Sequence, residues 1–436
     1  MKKVAEAQTV TLVVFGISGD LSRRYILPAL AVLKEAGRLP KNFGILGLSR
    51  RDVSAKQILD KETARLASHL TLRQIGLTSL GDYKALKSAL PKTGQVMFYF
   101  AVPPLAVTPI VKMLAKARLN GPKTKLLLEK PFGYDSESAK ELVQAVGECF
   151  SEPQIYRIDH YMAKEMSQNI AVFLGSNALF RDVWNNQFID SIDILAAEKI
   201  GIEGRTQFYE STGALRDLVQ SHLMNLAALT LMRPCSSLFE FAELPIRRLE
   251  ALKALLPVDP KSVSRAQYQG YKKEVKNPDS AVETFCSLKL YSSEPRWKGV
   301  PITLTTGKNL DQKLTEVRVS LKKTDVGQTN SLVLRIQPEE GIEIDLWAKQ
   351  PGYDRGLRRL PLKFSYAEGA DRLPNAYEQV IVDAIRSDQS LFASSAEVLE
   401  TWRILDPVIK DWNSDVSPLK TYKPGSSLET VLSNFV

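Results

Sequence analysis

Two domains are predicted for this chain: an α/β domain on a doubly wound parallel sheet over residues 1–165, and a larger domain of helices on a mainly antiparallel sheet over residues 166–436. Three observations predict them. Apolar β-runs alternate with helix-like stretches through the first 160 residues, a glycine-rich turn follows the first run, and the pattern then changes to β-runs around a few long helices. With 436 residues, 44% of them hydrophobic, the chain is long enough for both cores.

The elements follow in order. Residues 9–15 are almost continuously apolar, as a parallel strand covered on both faces must be. Gly16-Ile-Ser-Gly-Asp-Leu21 turns that strand into a helix, which Gly37 ends. Further strands are expected at 43–48, 96–102, 125–128 and 154–158, with helices between them, in the βαβ rhythm of a Rossmann-like fold. In the second domain, 188–196, 283–290, 314–321 and 332–336 read as sheet, with turns at Pro295, Gly299 and Gly307. A helix over 213–226 presents Leu215, Leu218, Val219, Leu223 and Leu226 as an apolar face.

Composition narrows the function classes. No run approaches the roughly 18 apolar residues of a membrane span, and Glu6, Gln8 and Thr9 interrupt any leader after Met1-Lys-Lys. Cys149, Cys235 and Cys286 are odd in number and far apart, which suggests neither a disulfide framework nor a cysteine metal site and fits a reducing cytoplasm. The net charge of +9 is spread without a basic block. Such a field suits phosphorylated small molecules as readily as nucleic acid.

Chemistry concentrates in a few segments. Gly16 and Gly19 let backbone approach a pyrophosphate at a helix N-terminus, although Gly-x-x-Gly also serves as a plain tight turn. The next strand ends Gly47-Leu-Ser-Arg50-Arg51, without the acid that would take a ribose hydroxyl. Arginine there favours the 2′-phosphate of NADP; a solvated loop is the other reading. Pro103 stiffens a loop that either borders a nicotinamide or starts a helix, and Lys130 ends a buried strand, aimed at the crevice or at solvent. Arg157-Ile-Asp-His-Tyr-Met-Ala-Lys-Glu165 packs six chemistries into little more than the length of two helical turns, in a chain with three histidines. His222 flanks the apolar face of the 213–226 helix, as a base or as a structural histidine. Asp217 lies about 140° around an α-helix from it, so Asp159 from another segment is the alternative partner.

These residues resemble the glucose-6-phosphate dehydrogenase family. The matching motifs are Gly16-Ile-Ser-Gly-Asp-Leu21, Glu129-Lys-Pro-Phe-Gly133, the nonapeptide 157–165, Gly213-Ala-Leu-Arg-Asp-Leu-Val-Gln-Ser-His-Leu223, Arg296-Trp-Lys-Gly-Val-Pro301 with Thr306-Gly-Lys308, Arg335-Ile-Gln-Pro338 and Asp388-Gln-Ser-Leu-Phe392. They run in family order across nearly the whole chain.

The resemblance implies NADP-dependent oxidation of β-D-glucose 6-phosphate at carbon 1 to 6-phosphoglucono-δ-lactone, the first step of the oxidative pentose phosphate pathway. By matched position His222 is the general base and Asp159 its orienting carboxylate. Lys130, His160, Tyr161, Lys164, Glu198, Asp217, Lys308 and Lys313 match the sugar-phosphate site. Gly16, Ser18, Gly19, Asp20, Leu21, Arg50, Pro103 and Lys130 match the dinucleotide site. It implies no metal, no nucleic acid and no membrane, and a homodimer formed through the second domain. The chain departs from the family pattern in being short between Arg51 and Val96 and around 236–273. It also carries Val107 for a tyrosine, Thr305-Thr306 for Arg-Thr and Ala266 for a glycine, and a second, structural NADP site cannot be traced. Two other classes are open: another NADP-dependent sugar or sugar-phosphate oxidoreductase of the two-domain type, and a non-enzymatic NADP-binding or nucleic-acid-binding protein.

Overall fold

The computed structural model describes residues 9–235, 238–325, 327–368, 372–414 and 419–435. The N-terminal stretch 1–8 and Ser236, both used above, lie outside them. The chain folds as two units: residues 1–133, 137–163 and 374–398 form the first, and residues 134–136, 164–373 and 399–436 the second.

The first unit is built on six strands, β1 (Val10–Phe15), β2 (Phe43–Ser49), β3 (Leu70–Gln74), β4 (Gln95–Phe100), β5 (Thr124–Leu128) and β6 (Ile155–Arg157). All pair in parallel, in the order β3-β2-β1-β4-β5-β6. This is the doubly wound order, with its reversal between β1 and β4, where ligands gather at the carboxyl ends of the strands. Strand β1 is buried along its whole length, which is why its sequence is apolar without alternation. Strand β3 escaped the sequence reading because it is an edge strand with Thr71, Arg73 and Gln74 exposed.

The helix Ala376–Arg386 also belongs here, and its Val380, Ile381 and Ile385 join the core of Leu12, Val14, Leu30 and Met97. Lys125, on β5, holds this helix by its C-terminus: its ammonium donates to the Ala384 carbonyl and, at 2.7 Å, to the Ser387 hydroxyl. A cation is favoured at that end of a helix dipole.

The second unit carries nine strands, β7 (Ile189–Ala197), β8 (Ser264–Tyr268), β9 (Phe285–Leu290), β10 (Ile302–Gly307), β11 (Leu314–Leu321), β12 (Ser331–Gln337), β13 (Gly341–Lys349), β14 (Leu357–Ser365) and β15 (Lys420–Tyr422). Their order is β14-β13-β12-β11-β7-β10-β9-β8-β15, antiparallel except for the β7–β10 and β8–β15 pairs. The expected architecture is therefore present.

Two local expectations are corrected. Gly307 does not turn the chain; it is the last residue of β10, paired with Phe285 and Ala197. Along the nonapeptide, Arg157 ends β6, residues 160–163 turn, and a helix starts at Glu165. The segment Leu215–Leu223 is a π-helix, continued as α-helix over Met224–Leu231, so the 140° offset between Asp217 and His222 does not apply there. Bonding from i to i+5 instead makes these two residues partners in the backbone repeat.

Candidate active site

At the carboxyl end of β1 the chain passes through Gly16 at φ +82°. A Cβ there would sit 3.0 Å from the Ala101 carbonyl carbon and closer still to its oxygen, so the turn admits only glycine. Gly19 N–H and the Ser22 hydroxyl both donate to the Gly16 carbonyl, at 2.9 and 3.0 Å, and hold the turn closed. A cleft of about 310 Å³ opens beside it, lined by Gly16, Ser18, Gly19, Arg50, Arg51 and Pro103 among others. Its exposed Arg50 and Arg51 supply positive charge, and Gln74 donates to the Arg50 carbonyl at 3.0 Å. Asp20, Leu21 and Lys130 do not line this cleft. Asp20 is exposed and paired with Arg24, and Leu21 packs against the core.

In the same unit Tyr99 donates to Glu129 at 2.5 Å, and burial pushes the Glu129 carboxyl up to about 7; Lys130 pulls it down and Asp159 raises it. Asp159 is buried and accepts the Tyr161 N–H at 2.9 Å. His160 meets Tyr161 edge-on at 5.0 Å and stacks on Tyr377 at 6.3 Å, which in turn stacks on Tyr25 at 5.1 Å. Tyr377 was missed in the sequence because it comes from residues 374–398, far along the chain. Arg157 is not a site cation: buried, it pairs with Glu152 at 2.8 Å and Ser395 at 2.7 Å.

In the second unit, Glu198 follows the end of β7, Lys308 follows β10 and Asp217 lies on the π-helix, which packs on β7, β9 and β10. These three meet: Lys308 forms ion pairs with Glu198 and, at 3.3 Å, with Asp217. Burial works against the Lys308 ammonium, but the Asp217 and Glu198 carboxylates outweigh it and hold its pKa above the ordinary lysine value. The Tyr209 ring, unmarked by any motif, lies 5.2 Å beneath that ammonium. His222, on the same π-helix, is buried.

Lys164 sits 4.0 Å from Glu340, whose other oxygen accepts the Met166 N–H at 2.7 Å. Burial lowers the Lys164 pKa, Glu340 raises it and the exposed Lys313 lowers it further, so the two lysines share one electrostatic environment. Glu340 was also missed, although it stands two residues after the Arg335-Ile-Gln-Pro338 motif.

The family model described as glucose-6-phosphate dehydrogenase, NAD binding domain, matches residues 13–169, and the one for the C-terminal domain of the same enzyme matches 171–434. The chain belongs to the glucose-6-phosphate dehydrogenase family. It is 34% identical to the glucose-6-phosphate 1-dehydrogenase of Chlamydia muridarum, over 95% of this chain and 92% of that protein. It is likewise 34% identical to that of Treponema pallidum, over 98% and 94%. Among solved structures, a glucose-6-phosphate dehydrogenase in complex with its substrate glucose 6-phosphate superposes with a TM-score of 0.89 at 28% identity, covering 98% of this chain and 97% of that one. The enzyme from Mycobacterium avium gives 0.86 at 31% identity, over 96% and 94%. This family member is accordingly an oxidoreductase acting on glucose 6-phosphate.

Proposed function

We propose that the chain oxidises β-D-glucose 6-phosphate at carbon 1 with NADP, giving 6-phosphoglucono-δ-lactone, with His222 as general base and Asp159 as the carboxylate that orients it. The observation that carries this reading is the cluster of buried Lys308 with half-buried Glu198 and with Asp217, which shares the π-helix of His222. A polar cluster so placed suits sugar hydroxyls, which both donate and accept hydrogen bonds.

Gly16, Ser18, Gly19, Arg50 and Pro103 fit a dinucleotide, since the Gly16 turn has no room for a side chain and Arg50 and Arg51 stand where a 2′-phosphate would need cations. NADP, when bound, supplies the hydride acceptor. His222 takes the proton of the carbon 1 hydroxyl as the hydride departs, and a carboxylate partner fixes its tautomer and stabilises the imidazolium. Glu198, Asp217 and Lys308 hold the hydroxyls. His160, Tyr161, Lys164 and Lys313 hold the phosphate, and Lys130 serves both ligands. His222→Asn is expected to lower kcat by about 10²- to 10⁴-fold with KM for glucose 6-phosphate nearly unchanged. Steady-state kinetics showing kcat intact would place the base elsewhere. Arg50→Ala should raise KM for NADP by about tenfold or more and leave NAD unaffected.

We further propose a homodimer. The edge strand β14 exposes Leu357, Leu360, Leu362 and Phe364, and its neighbour β13 exposes Leu346. An apolar edge of this kind invites pairing with a second copy. A cytoplasmic location is supported by the three free cysteines. Among the described residues no helix is long and apolar enough to cross a membrane.

A further inference from the structure

Glu283 has no role in any motif above, yet its carboxyl is buried at the start of the helix that bears Asp217 and His222. Its Oε1 accepts the Leu215 N–H at 2.8 Å, and its own carbonyl accepts the Ala214 N–H at 3.0 Å. One residue thus satisfies two successive amides that open the helix, which otherwise lack intrahelical acceptors. Gly213 makes room for it: at φ +64°, a Cβ there would lie 2.7 Å from the Glu283 carboxyl carbon. Burial raises the Glu283 pKa, opposed by the Leu215 amide and by Arg216 and Arg265 nearby.

The next residue does the same for the opposite side of the ion cluster. The Thr284 carbonyl accepts the Lys308 N–H at 2.9 Å, and Tyr422 bridges the two segments, donating to the Lys308 carbonyl at 2.6 Å and touching the Thr284 hydroxyl at 3.0 Å. Adjacent residues therefore fix the helix of Asp217 and the backbone of Lys308, whose side chains meet at 3.3 Å.

We propose that Glu283 is a positioning residue for glucose 6-phosphate oxidation: its carboxyl sets the register of the π-helix, and with it the places of Asp217 and His222 relative to Lys308. This rests on the site reading above. What matters is the reach of its oxygen to Leu215, so an acceptor at the same distance should serve and a shorter side chain should not.

The experiment compares Glu283→Asp with Glu283→Gln. Glu283→Asp is expected to lower kcat and raise KM for glucose 6-phosphate together, cutting kcat/KM by at least about tenfold. Its Kd for NADP, measured by fluorescence titration, should stay at the wild-type value. Glu283→Gln, which keeps an oxygen at that reach, should stay within about threefold of wild type in kcat/KM. If Glu283→Asp is not recovered folded, Gly213→Ala, which presses on the carboxyl from the other side, takes its place with the same expectation. Wild-type kinetics in Glu283→Asp, an equal fall in Glu283→Gln, or a parallel loss of NADP binding would each overturn the proposal. Should His222→Asn and Asp217→Asn both keep full activity, the underlying site reading fails instead, whatever Glu283→Asp does.

Discussion

Glu129 shows how a single carboxyl records its surroundings. Burial pushes it up to about 7, from an ordinary glutamate value in the unfolded chain. Between those two values the folded state holds a proton that the unfolded state has released, so this group makes stability fall as pH rises through that window and level off above it. Glu129→Gln should flatten that fall, checked by thermal unfolding from pH 4 to 8; an unchanged profile would mean that the carboxyl is solvated. Asp383, pushed up to about 7 by its own burial, contributes in the same direction and sets the slope that remains. Neither effect was legible in the sequence, because a strand-end glutamate and a helix aspartate look solvated until their burial is known. The glycine loop was legible, since a turn that ends an apolar strand shows in residue type and spacing, whereas Lys308 and Lys313 were singled out by family resemblance and not by their own pattern.

At the scale of elements, the strands of the first unit that the sequence announced are the buried ones, whereas β8 and β10 of the second unit were missed although buried. Strands β1, β2, β4 and β5 are apolar because helices cover both faces, and that pattern survives without any tertiary knowledge. Strands β3, β13 and β14 lie at sheet edges or next to them, where polar and charged residues are tolerated, and the sequence pattern did not mark them as strands. The π-helix was invisible for a different reason: its apolar spacing also satisfies the α period over two turns, and what distinguishes it is backbone bonding from i to i+5. The turn after β1 gives the sharpest test at this scale. Gly16→Ala forces a side chain into a φ of +82° against the Ala101 carbonyl, a strain of about 1–3 kcal/mol. NADP affinity should drop by tenfold or more in a titration, on the order of that strain. Binding at wild-type strength would show that the loop relaxes freely.

For the molecule as a whole, the homodimer proposed above rests on the apolar face of β13 and β14. Phe364→Glu should convert a dimer to a monomer in light scattering, with the chain still folded, because a buried carboxylate at that edge is strongly disfavoured. A variant that stays dimeric would move the interface to another surface. The return of residues 374–398 to the first unit is the part of the architecture that no linear reading provides, since hydropathy gives the period of a helix but not the sheet it will cover. That return has a practical meaning for dissecting the chain. A fragment ending near residue 165 would strip Val380, Ile381 and Ile385 from the nucleotide-binding half, lay bare the core that they cover and take away the Ala384 and Ser387 acceptors of Lys125. Expressed alone, such a piece should aggregate, whereas adding residues 374–398 back through a short glycine-serine tether should restore a soluble half that still takes up dinucleotide.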